Sequence, residues 1–394
     1  MNSKKMVFDS LFNILATAVP VIVLQIVILP LVGVKLGQEN YGVVITLISV
    51  STVFSIPFGN VLNNIRLLMD EKYKENDVVG DFNFLLICSV FCNTFLVIAS
   101  LIIMKSSLNV IHIILLILVS GLNIVREYFL VGFRLSLNYK KILENNIIQA
   151  IGYLIGLIIF NFLNYWELIY ISGLLLSIYF IFKNSDLYKE GIVRSILFKD
   201  TFYQSCMLFI SVFLKTFLTY ADRILLFPLL GATAVSIYYS SSVVGKILGM
   251  AIMPISSVIL SYLRNSNELS KKNFIKLLIV LLSICFISYF VINIISYPLL
   301  KLLYPKWYYE SIKLIPVNTA TALIVTITSI LHPFLLKFRH MKWQMIINIV
   351  NLLSYIIFIY VLFNAYGLLG FCLGLLISNI IKLFLMIGIY VFSN

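Results

Sequence analysis

Apolar runs long enough to cross a lipid bilayer recur from Phe8 to Phe392, and they constrain this chain more than any other feature. Hydrocarbon offers backbone amides no hydrogen-bond partner, so a segment inside it must be a helix or part of a closed barrel. About twenty apolar residues suffice for a helix to cross, and these runs have that length without the two-residue alternation of barrel strands. Charged residues make up 11% of the chain, under half of the roughly 25% usual for soluble domains, and the mean hydropathy is +1.04. The sequence predicts an all-α integral membrane protein with helices near 8–32, 41–65, 82–104, 109–133, 145–163, 166–182, 203–227, 236–263, 274–303, 312–336, 344–363 and 367–392. Lys4 and Lys5 precede the first run, but its apolar stretch is too long for a signal-peptide core and reads as a retained helix.

The loops set the orientation. Nineteen Lys and Arg residues fall at the N-terminus or after even-numbered helices, against five on the opposite loops. Cytoplasmic loops carry such an excess, so both termini are expected in the cytoplasm. The net charge of +13 is then mostly topology. The bases are scattered over loops rather than gathered in a patch, and no nucleic-acid partner is expected.

Several chemistries leave no trace. The Gly245-Lys246 pair has Ser240 where a P-loop needs its first glycine, and H-E-x-x-H and G-x-S-x-G are absent. His112, His332 and His340 lack metal-ligand spacing, so no metal site is predicted, and no cofactor. No loop is long enough for a soluble catalytic domain.

The chain echoes itself. Leu36-Gly37 follows the first helix as Leu230-Gly231 follows the seventh, and Pro57 in the second matches Pro254 in the eighth. Phe129-Leu130-Val131-Gly132-Phe133-Arg134 closes helix four, and Phe334-Leu335-Leu336-Lys337-Phe338-Arg339 closes helix ten. Two six-helix bundles follow, 1–183 and 202–394. An even helix number returns each half to its starting side, which makes them parallel repeats. Residues 184–201 join them as a cytoplasmic linker. Ile192, Val193, Ile196 and Leu197 would form one helical face there, with Lys189, Arg194 and Lys199 nearby, as in an amphipathic segment at the membrane surface.

A few charges remain at membrane depth, where an ionisable group marks a functional site by default. Lys215, Asp222 and Arg223 fall on roughly one face of helix seven. Lys246 lies in helix eight, Lys382 near the middle of helix twelve, and Arg126 and Glu127 in the inner half of helix four. Five bases against two acids predict a cationic cavity that attracts an anion, with Lys215, Arg223, Lys246, Lys382 and Arg126 as substrate-binding residues. Asp222 and Glu127 are the candidates for ion coupling. Internal pairing is the competing expectation for Arg223 and Glu127. The second half carries most of the net charge and is expected to hold the anion more strongly. Asn348, Asn351, Ser378 and Asn379 offer neutral oxygens for a sugar or Na⁺, although helix–helix hydrogen bonding is the commoner use of such groups.

Asp222-Arg223-Ile224-Leu225-Leu226, Leu230-Gly231, Tyr238-Tyr239 and Pro254 resemble helices seven and eight of bacterial O-antigen and capsule repeat-unit flippases. Those flippases belong to the multidrug/oligosaccharidyl-lipid/polysaccharide exporter superfamily. Leu303-Tyr304-Pro305 with Tyr308 and Ser311 is similar to that family's stretch between helices nine and ten, and Asn364-Ala365-Tyr366-Gly367-Leu368-Leu369-Gly370 to its turn before helix twelve. The resemblance implies a V-shaped, alternating-access transporter in the bacterial cytoplasmic membrane. Its implied substrate is an undecaprenyl-pyrophosphate-linked oligosaccharide, turned from the inner to the outer leaflet. It further implies a functional Asp222-Arg223 pair, contact with membrane lipids, assembly with a polysaccharide polymerase or chain-length regulator, and coupling to H⁺ or Na⁺. Helix one departs from the pattern: it has Asp9 and Gln25 but no inward arginine. An O-antigen polymerase or ligase is the rival enzyme reading, disfavoured by short outer loops without His. A multidrug exporter of the same superfamily is the rival transporter, disfavoured by the basic excess.

Overall fold

The structure is a computed structural model that describes residues 18–76, 78–104, 108–263, 271–339 and 342–392, with side chains described outside 246–263 and 336. Asp9 and the start of the first predicted helix lie outside the described residues. Among the described residues there is no strand, and ten helical stretches are long and apolar enough to cross a membrane. Two of these are interrupted by a glycine with non-helical backbone, Gly231 in Phe198–Leu263 and Gly367 in Lys342–Phe392. Divided there, the helices are α1 (Ala18–Leu36), α2 (Gln38–Glu75), α3 (Asp81–Ile103), α4 (Val110–Leu135), α5 (Tyr139–Leu163), α6 (Glu167–Asn184), α7 (198–230), α8 (232–263), α9 (Lys271–Leu303), α10 (Ile315–Phe338), α11 (342–366) and α12 (368–392). The twelve expected helices are present. The short helix Tyr308–Ile312 lies between α9 and α10.

Three expectations change. Helix α2 was expected to end near 65 but runs on to Glu75, so Arg66, Lys72 and Lys74 stand on a helix rather than in a loop. The expected helical face of the 184–201 linker is absent. Leu187–Lys189 forms one 3-10 turn, and the chain then runs without regular structure until α7 begins at Phe198, leaving Ile192, Val193 and Ile196 exposed. The compact units divide elsewhere than at the linker: one comprises residues 1–32 and 43–229, the other 33–42 and 230–394.

Polar side chains fix the linker's path within the first unit. Arg66 is buried and pairs with Glu190 at 2.6 Å. Asn83 donates to the Glu190 carbonyl at 2.6 Å. The Asp81 carboxylate accepts from the Ser195 amide at 2.7 Å, from the Ser195 hydroxyl and from the Tyr73 hydroxyl at 2.7 Å. Two backbone groups of the linker, the Glu190 carbonyl and the Ser195 amide, thus bond to side chains of α3 rather than within a helix. Burial pushes the Glu190 carboxyl up from its ordinary range, and the Arg66 guanidinium pulls it part of the way back.

The repeat is visible at the helix joints. Gly37 and Gly231 both have left-handed backbone, at φ +83° and +80°. The joints α5–α6 and α11–α12 are likewise left-handed, at Asn164 (φ 63°) and Gly367 (φ 56°). An offset of 194 residues superposes Gly37 on Gly231, and with it Gln38 on Ala232 and Gly42 on Ser236. These positions meet reciprocally inside the second unit. A β-carbon at Gly42 would lie 1.8 Å from the Ala232 carbonyl oxygen, and the Ser236 hydroxyl donates to the Gln38 carbonyl. Each joint holds the other through the same pair of positions, as in a two-fold contact. Buried Tyr41, Tyr239, Tyr304 and Trp307 pack beside them, ring against ring.

The two joints make opposite demands on glycine. No atom would crowd a β-carbon at Gly231, so G231A meets backbone strain alone, about 1–3 kcal/mol. G42A drives a methyl into the Ala232 carbonyl. Thermal unfolding of the purified protein is expected to show a modest loss for G231A and a much larger one, or no folded protein, for G42A.

Candidate functional site

Much of the polar chemistry of the first unit gathers on α2, α4, α5 and α6. Asn60, Asn63 and Asn64 stand on α2 at spacings of three and four, which puts them on one face. Asn123, Arg126 and Glu127 repeat that spacing on α4, and Asn145, Asn146 and Gln149 on α5. The α2 and α4 sets meet directly. Asn123 donates to the Ser55 hydroxyl at 2.8 Å, and Asn63 to the Glu127 carbonyl at 2.7 Å. Arg134 donates to the Asn63 side chain and, at 3.1 Å, to that of Asn64, which passes on a 2.6 Å bond to Asn60.

Arg126 is the hub, with only 6% of its surface exposed. Its Nε donates to the Ser177 hydroxyl of α6 at 2.9 Å. One terminal nitrogen bonds Glu127 and the other Asn146 of α5. Ser177 and Asn145 in turn bond each other twice, at 2.8 Å each. One guanidinium thus ties three helices together, and its charge is answered by a carboxylate. A buried ion is tolerated only on those terms. The network is closed at Arg126, Asn145, Asn146 and Ser177, which are buried. It opens at Asn60, Asn64, Asn123, Glu127 and Arg134, which are half-buried.

Helix α7 carries the second group. Phe209 and Phe213 pack against Phe58 and Phe54 of α2, with ring centroids 4.6 and 6.0 Å apart. The other side of α7 presents Ser211, Lys215 and Thr219 at four-residue intervals, all exposed. Among the described residues the Lys215 ammonium has no hydrogen-bond or ion-pair partner. Three residues beyond Thr219 stand Asp222 and Arg223, both buried. The carboxylate accepts from the Arg223 amide at 3.0 Å but lies 3.9 Å from the guanidinium Nε, and the guanidinium rests over Tyr220 at 5.1 Å. Neighbours about 100° apart around a helix make only a loose pair.

Arg126 is the network hub. Lys215 and Arg223 share α7. Lys382 is half-buried on α12 in the second unit, and the Lys246 side chain lies outside the described residues. Of the two acids, Glu127 answers Arg126 and Asp222 lies beside Arg223. Ser378 and Asn379 bond back to the Leu375 carbonyl of their own helix, at 2.9 and 2.8 Å. Among the described residues, every buried charge (Arg66, Asp81, Arg126, Glu167, Asp222 and Arg223) belongs to the first unit, which takes in Asp222 and Arg223 from the second half of the sequence. Sequence reasoning missed Asn60, Asn63, Asn64, Asn146 and Arg134; amides repeating at helical spacing inside apolar runs were the available signal. Among the described residues, no group of three or more His, Cys, Asp or Glu side chains could hold a metal ion.

The fold is similar to that of solved membrane transporters. No protein-family model matches the chain, and no curated protein matches it. Solved structures do. The lipid II flippase MurJ in an inward closed conformation matches with a TM-score of 0.70 at 14% identity, over 100% of this chain and 87% of its own. An inward-facing multidrug resistance MATE transporter of the MOP superfamily matches at 0.64 and 11% identity, over 94% and 92%. The eukaryotic MATE transporter AtDTX14 matches at 0.60 and 14% identity, over 99% and 96%. These neighbours are transporters, and what the chain shares with them at such identities is the fold.

Truncating the hub removes three hydrogen bonds, on three helices, and leaves Glu127 without its countercharge. R126A is expected to destabilise the protein by about 3 kcal/mol. E127Q keeps an acceptor for Arg126 and should cost less. Thermal unfolding of the two variants, measured side by side, checks the order.

Proposed function

We propose that the chain is a flippase that moves an undecaprenyl-pyrophosphate-linked oligosaccharide from the inner to the outer leaflet of a bacterial cytoplasmic membrane, a transporter and not an enzyme. The observation that carries this reading is Lys215. A partnerless ammonium midway along a membrane-length helix cannot be left in hydrocarbon, and its helix presents Ser211 and Thr219 on the same stripe. That stripe suits water and a phosphorylated headgroup. The half-buried amides of Asn60, Asn64 and Asn123, with Glu127 and Arg134, offer the donors and acceptors that sugar hydroxyls require. Arg223, Lys246 and Lys382 remain proposed contributors of positive charge. Arg126 supports the site by holding Glu127, Asn146 and Ser177 in place.

The fold likeness to a lipid II flippase supports the substrate class. The same fold serves multidrug resistance transporters, so drug export is the second reading. An exposed lysine repels the cationic compounds such a pump would carry, which favours the anionic lipid. A deletion strain separates the two: loss of surface polysaccharide supports the flippase, and loss of drug resistance alone supports export. With no ATP-binding motif, transport is proposed to draw on H⁺ or Na⁺ through Asp222 or Glu127. A partner polymerase or chain-length regulator would consume the product.

Lipid-linked repeat units are expected to accumulate on the inner leaflet in a K215A strain, with flipping reduced about tenfold or more for the loss of one charge-assisted contact. K215R should retain most of the activity. Normal flipping in K215A would remove Lys215 from the site. In sealed vesicles, transport is expected to fall when both the H⁺ and Na⁺ gradients are collapsed, and transport indifferent to both would refute coupling.

A further inference from the structure

We propose that His112 and Glu167 form a proton-binding site between α4 and α6, separate from the acids assigned to coupling above. His112 lies in the first turn of α4 and Glu167 opens α6. The imidazole Nδ1 is 2.7 Å from the Glu167 Oε1. The carboxylate is 0% exposed, whereas the imidazole is 28% exposed. The second carboxylate oxygen, Oε2, is buried without a hydrogen-bond partner.

A carboxylate removed from water needs several hydrogen bonds and a countercharge to remain ionised. Glu167 has one side-chain partner. The amino end of α6 offers it a favourable dipole, but the full charge that could answer it must come from His112. The elements packed around the pair supply little else. The Tyr165 ring lies 5.3 Å from the imidazole. Behind it, Trp166 stands edge-on to Tyr170, which meets Tyr153 of α5. Among the described residues, no Lys, Arg, Asp or second His hydrogen-bonds or ion-pairs with either member.

Two charge states follow from the geometry. Without the added proton, a neutral imidazole donates its Nδ1 proton to the carboxylate, and the pair carries one buried negative charge. With it, Nε2 takes the proton, and an imidazolium faces the carboxylate. The second state neutralises the buried charge and grips α4 to α6 more strongly, so proton uptake tightens this end of the first unit. The inference rests on the pair alone and stands whether or not the chain transports a lipid.

The test uses the full-length protein in lipid nanodiscs. Melting temperatures of wild type, H112Q, E167Q and H112Q/E167Q are compared at about pH 5.5 and about pH 8.5, on either side of the ordinary histidine range. The stabilisation belongs to the protonated pair, so it is present on the acid side and lost as pH rises. Coupling between the two positions is expected to be larger at the lower pH. Equal coupling at both values would mean a fixed neutral hydrogen bond and would overturn the proposal. Should a single variant fail to fold, nitrogen NMR of H332Q/H340Q protein, which keeps His112 as its one histidine, reads the same question. An imidazole that gains a proton across this range supports the site, and one that holds a single charge state throughout overturns it.

Discussion

A charged side chain inside a membrane-length helix must be neutralised by protein or solvated by water, because hydrocarbon does neither. The first compact unit meets this demand in two ways. Arg126 is neutralised: its guanidinium donates to three acceptors on three helices, one of them a carboxylate. Lys215 is exposed and has no such partners, and its helix devotes a stripe of small polar residues to the same side. Much else in the unit follows from this division. The amides of α2 and α5 complete the buried network, and the aromatic ladder of α7 fixes which way the lysine faces.

Most of the fold was legible in the sequence because it follows from the length and spacing of apolar runs, which the bilayer dictates. The repeat was legible for a related reason. Leu36-Gly37 and Leu230-Gly231 recur because a sharp turn between helices needs a left-handed residue, and glycine takes that conformation at least cost. The candidate site was legible only in part. Lys215, Asp222 and Arg223 stand out as charges in an apolar run. The extension of α2 to Glu75 did not, because Asp70, Glu71, Lys72 and Lys74 look like a polar loop. The partners of Arg126 lie up to 51 residues away, and no local pattern connects them. The pairing of Glu167 with His112 leaves no local pattern either, because the two are 55 residues apart.

The repeat and the distribution of charge point in different directions. The reciprocal contacts between Gly42 and Ala232 and between Ser236 and Gln38 join positions that are equivalent in the repeat. Burial of charge follows the compact units instead: among the described residues it lies wholly in the first, which includes Asp222 and Arg223 of α7. Arg134 and Arg339 show how equivalent positions diverged. Both close the fourth helix of their half. Arg134 serves the amides of α2, whereas Arg339 donates to the Tyr390 carbonyl at 2.6 Å.

The central claim is that the Lys215 stripe of α7 is wet. Thiol chemistry reads this directly, because a charged thiol reagent reacts with the thiolate, which persists in water and not in hydrocarbon. In protein stripped of its native cysteines, K215C is compared with I210C, an exposed position of the same helix on a different side. The account predicts rapid modification of K215C in intact membranes and little of I210C. Equal, slow reaction at both positions would place Lys215 against lipid and contradict it.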